Sequence, residues 1–177
     1  MTSRWHTRFS ACALFVAAVH AATVSGRVSL TDSRVAAVVK AHNYSGIVVW
    51  LKPSTPSAPA PGHARMLQSD KRFSPHILAV TMGTKVDFPN LDPIFHNAFS
   101  NFDGQLFDVG LYPPGTSRTV RFDRPGIVRV FCNIHPMMTA VVVVVDSPYF
   151  AITTKAGTSR LPTVPAASQP RALFHGR

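Results

Sequence analysis

Phe131-Cys132-Asn133-Ile134-His135-Pro136-Met137-Met138 decides how this chain reads, together with what flanks it: Ile127-Val128-Arg129-Val130 before and Thr139-Ala140-Val141-Val142-Val143-Val144-Val145 after. Both flanks are β-branched and apolar, the composition of strands. Five consecutive valines fit a strand covered on both faces, and left exposed such a run would be an aggregation hazard. Cys132 therefore ends one strand, Met138 opens the next, and His135 sits in the turn that joins them, stiffened by Pro136. A sulfur, a ring nitrogen and a thioether can then meet at one end of the fold. A further imidazole, His96, arrives from a separate strand-loop, Phe95-His96-Asn97-Ala98-Phe99, behind the turn-rich Asn90-Leu91-Asp92-Pro93.

Working outward, short alternating or apolar segments recur between turns. Val24 to Leu30, Ile47 to Leu51, Pro75 to Val80, Lys85 to Phe88 and Thr116 to Phe122 read as strands, with Val86, Phe88, Val120 and Phe122 facing inward. Val35 to Lys40 is ambiguous between strand and short helix. Fifteen prolines and ten glycines in 177 residues favour turns over helices. The predicted fold is all-β, a sandwich. Residues 22–146 form its domain, interrupted at 52–70 by a proline-rich surface excursion. Residues 147–177 form a mostly irregular tail, ordered to about Phe150. His63, at the end of the proline run, reads as solvated, and His76 as a hydrogen-bonded structural residue.

Residues 1–21 have the layout of a secretory signal, with Arg4 and Arg8 ahead of the apolar run Phe9 to Val19 and small residues following it. The run is too short for an ordinary membrane span, so stable insertion is not expected once it is cleaved. Cleavage would carry Cys12 away and leave Cys132 as the single cysteine of an exported, periplasmic chain. Such a thiol cannot form an internal disulfide, and ligation to a metal would protect it from oxidation. The formal net charge is +10, or about +8 without Arg4 and Arg8. The basic residues are dispersed and no nucleic-acid motif is visible, so the charge points instead to an acidic protein partner.

Two imidazoles, a thiolate and a weak thioether make the donor set of an electron-transfer copper site, with the thiolate and thioether favouring Cu(I) and imidazole accepting both states. Zinc also accepts two histidines and a cysteine with a fourth ligand. No carboxylate lies in the ligand loop, which argues against hard cations. A cysteine–histidine hydrolase is disfavoured by the lack of an evident oxyanion loop or orienting acid. Two other classes stand beside the electron carrier: a copper storage or delivery protein using the same residues, and a metal-free structural or binding β-sandwich.

The chain resembles the cupredoxins of the plastocyanin and amicyanin group, including those labelled methylamine-utilisation proteins. The matching stretches are Val86 to Asp92, Phe95-His96-Asn97, Gly126 to Phe131 and Cys132 to Met138. The resemblance spans about Phe73 to Asp146, with a looser match from Val24 to Leu51. The short Cys-x-x-His-x-x-Met loop is similar to that of amicyanin. The resemblance implies a Greek-key β-sandwich holding one copper ion per chain, with His96, Cys132 and His135 as strong ligands and Met138 as the axial one. It also implies that Asn97 stabilises the cysteine loop by hydrogen bonding. Met137 competes with Met138 by proximity. The family carries single electrons between protein redox partners and is not enzymatic, its loop histidine, here His135, reaching the surface through an apolar patch. Beyond Tyr149 the tail looks like the opening of a carboxypeptidase-regulatory-like module cut short.

Overall fold

A computed structural model describes residues 21–30, 42–53, 59–101, 104–165 and 168–173. The structure is all-β: every regular element among the described residues is a strand. Residues 1–20, which hold nearly all of the expected signal, and residues 35–40 lie outside the described residues.

The central layer is a five-stranded sheet in the order β6 (Ile77–Thr81), β12 (Thr139–Val145), β11 (Gly126–Phe131), β8 (Phe99–Ser100), β9 (Phe107–Asp108). β12 runs parallel to β6 and antiparallel to β11. A second sheet has the order β10 (Ser117–Phe122), β7 (Thr84–Pro89), β3 (His63–Arg65). Between the two lies the main core. β7 and β10 supply Val86, Phe88 and Phe122, and β11 and β12 supply Val128, Val130, Ala140, Val142 and Val144, all buried in one cluster. The alternation of β7 and β10 is the period-2 pattern of a half-buried strand, and its apolar members face this core as the sequence predicts.

β12 has no polar face. Val142 and Val144 belong to the main core, while Val141, Val143 and Val145 point the other way into a second cluster with Val48, flanked by Trp50, Ile77, Ala79, Ile127 and Phe150. The residues that cover this outer face come largely from β2 (Val48–Pro53) and β13 (Phe150–Ile152). The five-valine run is thus enclosed on both sides, as its composition requires.

The C-terminal segment corrects one expectation. It is not mostly irregular: β13, β14 (Thr158–Pro165) and β15 (Ser168–Leu173) are regular strands. β2 lies between β13 and β15, antiparallel to both, and β14 pairs with β1 (Ala21–Arg27). Leu161 and Val164 of β14 bury with Leu51 of β2 in a third cluster. Pro162 of β14 is accommodated locally. The β1–β14 register shifts between Ala22 and Val24, opposite Pro162 and Thr163, and Thr163 takes φ 58°. A bulge is where a strand tolerates proline. Regular structure also resumes within the supposed 52–70 excursion, at β3 and then β4 (Leu67–Ser69), which forms a hairpin with β5 (Arg72–Ser74). Met66 and Gln68 are fully buried there, so this stretch is core as well as surface.

Candidate metal centre

Cys132 follows the last residue of β11, Met138 precedes the first of β12, and the six-residue ladder between those strands fixes how far apart the two can be. The turn is closed by its own backbone. The Met138 N–H donates to the His135 carbonyl at 2.8 Å, and the Cys132 N–H donates to the Met138 carbonyl at 3.2 Å. His96 is held independently. Its main chain exchanges two hydrogen bonds with Tyr112, of 3.2 and 2.9 Å. Tyr112 is itself buried, donating from its hydroxyl to the Phe88 carbonyl at 2.8 Å and accepting from the Gln68 side-chain amide. Burial raises the phenol pKa despite that Gln68 contact, so Tyr112 stays a neutral donor.

These supports bring three of the predicted residues together. The Cys132 sulfur lies 3.8 Å from His96 Nδ1 and 3.7 Å from His135 Nδ1. One donor atom from each of the three lies within 4.8 Å of the others. The imidazole rings stand edge to face, 4.7 Å between centroids. His96 and Cys132 are buried, whereas His135 is half-buried. Met138 is 1% exposed and Met137 93% exposed, so only Met138 is enclosed beside the cluster. Desolvation, with the neighbouring His96 and Lys71, pushes the His135 imidazole below its ordinary pKa against the opposing pull of Asp92, which favours the neutral ring that a metal requires.

The donor spacing can be tested against an ion. With metal–sulfur and metal–nitrogen bonds of about 2.3 Å and about 2.05 Å, the sulfur–nitrogen edge is about 3.8 Å for a trigonal arrangement and about 3.6 Å for a tetrahedral one. The two observed edges, 3.8 and 3.7 Å, lie at the length that two ligands of one ion span. Two histidines and a cysteine are a donor set that suits copper, and zinc where a fourth ligand is supplied. The residues present fit the group.

Asn97, also buried, accepts from the Asn133 N–H at 2.7 Å through its side-chain oxygen and so ties the His96 segment to the cysteine loop. His76 and His63 are elsewhere. His76 Nδ1 bonds the Thr139 carbonyl at 3.0 Å, and His63 Nε2 pairs with Asp87 at 2.9 Å. The sequence reading missed Asp92. It treated that residue as part of a turn, but its carboxylate lies 2.7 Å from His96 Nε2. Its place four residues before a candidate ligand is the only signal, and a weak one. Burial alone would raise the Asp92 pKa. The Lys71 N–H, the His96 ring and the Asp70 N–H outweigh that, and the net direction is downward, so Asp92 is a carboxylate.

No family model matches the chain, and no curated protein matches it. Solved structures do. A purple cupredoxin from Nitrosopumilus maritimus is similar over 46% of this chain and 99% of its own, at 24% identity and a TM-score of 0.43. An amicyanin variant in its reduced Cu(I) form is similar over 55% of this chain and 98% of its own, at 19% identity and a TM-score of 0.45. A copper-containing nitrite reductase from Thermus scotoductus SA-01 is similar over 53% of this chain but only 26% of its own length, at 23% identity and a TM-score of 0.45. A purple cupredoxin, an amicyanin and a copper-containing nitrite reductase are thus among the solved structures to which this all-β chain is similar.

Proposed function

We propose that this protein is a type 1, or blue, copper protein that passes single electrons between protein partners in the periplasm. The observation that carries the reading is the trio of donors, His96 Nδ1, Cys132 Sγ and His135 Nδ1, at edges of 3.8 and 3.7 Å. These three residues are the strong ligands of one copper ion per chain, and Met138 is the weak axial donor. Asn97 braces the cysteine loop from outside the ligand set. Copper held there supplies a one-electron couple, and the chain's part is to hold both oxidation states in one geometry. Burial of His96 and the backbone closure of the Cys132–Met138 turn serve that purpose, because ligands that do not move do not add a reorganisation barrier.

His135 is the point of electron entry and exit. It is the half-buried ligand, and exposed Ile134, Met137 and Phe95 surround its part of the sequence and of His96's loop. An apolar end face of this kind suits brief docking, and the basic charge of the chain steers an acidic partner toward it. Export by the N-terminal signal belongs to the same reading. No bond-making chemistry is assigned to the site.

The test is to add Cu(II) to the purified protein and record the visible spectrum. An intense thiolate-to-copper band with reversible one-electron cycling is expected. A colourless titration overturns the reading. Ready loss of Cu(I) to an acceptor chelator, without stable cycling, would instead assign the same residues to copper storage or delivery. Docking is tested by the salt dependence of reduction by an acidic redox protein, since screening acts over about 8 Å at physiological ionic strength. Rates that do not fall with salt would remove the steering claim.

A further inference from the structure

His96 is fully buried, and the nitrogen that does not face Cys132 is met by a carboxylate rather than by water: Asp92 Oδ2 lies 2.7 Å from His96 Nε2. That carboxylate is itself clamped. Asp92 Oδ1 accepts from the Asp70 N–H at 2.7 Å, and Oδ2 accepts from the Lys71 N–H at 2.9 Å. Asp70 and Lys71 form the turn of the β4–β5 hairpin, with φ of 53° and 56°. Two successive left-handed residues are the conformation of a type I′ hairpin turn. Here that turn aims both N–H groups at one side chain. From the other side, the Asp92 N–H donates to the Asn90 side-chain oxygen at 3.1 Å, and the Asn90 amide donates to the Ile94 carbonyl at 2.8 Å. The loop that leads into His96 is therefore tied to a hairpin that contributes no ligand.

We propose that Asp92 is a positioning residue for the metal centre: clamped by the Asp70–Lys71 turn, it keeps the His96 ring proton on Nε2, aims the Nδ1 lone pair at the site shared with Cys132 and His135, and biases that site toward Cu(II). The inference rests on the copper reading above and deepens it. Both Asp92 oxygens already accept a main-chain N–H, so the side chain faces His96 as an acceptor, Nε2 donates and Nδ1 is left free for a metal. A ligating histidine whose other nitrogen donates to a carboxylate is a stronger base. The fixed negative charge in a water-poor site also favours the more highly charged ion. Both effects act in the same direction. Among the described residues no carboxylate is paired with the His135 ring, so the two histidines are not equivalent. His96 is the anchored ligand and His135 the adaptable one.

The experiment compares copper-loaded wild type with Asp92→Asn in the full chain. The asparagine keeps the shape and one acceptor but removes the charge. The preference for Cu(II) over Cu(I) is expected to fall at least tenfold, which raises the potential by about 59 mV per tenfold for one electron, while the thiolate band persists. A purely structural role would change the melting temperature and leave the potential alone. A second measurement needs no variant: nitrogen NMR of the His96 ring in metal-free and zinc-loaded wild type, expected to find the proton on Nε2. An unchanged potential in a folded, copper-binding Asp92→Asn protein overturns the proposal, as does a metal-free ring protonated on Nδ1 alone. If the asparagine variant does not fold, the ring measurement decides. If wild type takes up no copper, the blue-copper reading fails, and the metal-free ring still reports whether Asp92 sets the tautomer.

Discussion

Met137 and Met138 are adjacent, chemically identical and oppositely placed, so truncating each in turn tests the site. Met138 is 1% exposed and belongs to the main core with Phe88, Tyr112 and Cys132, whereas Met137 is 93% exposed. Shortening a buried methionine to alanine costs about 2–5 kcal/mol through lost burial and the cavity left behind. An exposed one costs within about 0.5 kcal/mol. For a chain of this size each kcal/mol moves the melting point by about 2–4 °C. Metal-free Met138→Ala should therefore melt about 4–20 °C below wild type, and Met137→Ala within about 2 °C of it. The second assay uses glutamine in the copper-loaded protein. Met138→Gln should shift both the visible band and the potential, because the amide oxygen is a harder donor than the thioether. Met137→Gln should leave both nearly unchanged. Equal melting losses at the two positions would refute the burial reasoning, and a spectrum that responds to residue 137 and not to 138 would reassign the axial ligand.

Cys132→Ser should abolish the visible band while leaving the metal-free protein folded, as judged by circular dichroism, since the serine oxygen is no substitute for a thiolate in the charge-transfer transition. Asp87 accepts from Thr119 at 2.6 Å and pairs with His63, and these contacts outweigh its desolvation to hold its pKa below 3.8. Its contribution to stability is thus complete above that value and lost as pH falls through the lower folded-state pKa. Asp87→Asn should flatten the acid limb of the stability curve below about pH 4 in denaturant titrations, and an unaltered limb would contradict the assignment. Ending the chain at Asp146 removes Phe150 from the Val141, Val143 and Val145 face and takes both strand partners from β2, which covers the rest of it. The product should bind hydrophobic dyes and aggregate, and a monomer melting like the full chain would show that the outer core is dispensable. Val143→Ala, which loses two methyl groups' worth of packing in that outer core, should cost about 1–3 kcal/mol in chemical denaturation.

The sequence made the sandwich and three members of the site readable for physical reasons that can be named. Val86, Phe88, Val120 and Phe122 alternate because one face of each strand is buried, and the five valines of β12 have no polar member because neither face meets water. Cys132 and His135 are linked by a turn of only two intervening residues, so their proximity is local. The C-terminal strands were harder to read. β15 and β14 carry Pro170 and Pro162, and proline weighs against a strand until its partner is known. Their pairing with β2 and β1 is a long-range fact that no local pattern encodes. Asp92 was hidden for a related reason. An Asn-Leu-Asp-Pro sequence looks like a turn and is one, and only the approach of a hairpin 21 positions away gives its carboxylate two N–H donors.

The interleaving of the two ends of the chain also orders its assembly. Cys132 meets His96 across 36 positions, whereas the Ile47 N–H finds the Thr153 hydroxyl across 106. Closing the longer loop costs more entropy. The central sandwich, with its cluster of soft donors, can therefore form while the outer valine face still waits for its cover. During that interval the chain still presents a sticky face. The row of valines is thus the last apolar surface of the chain to be covered, after the thiol is already inside.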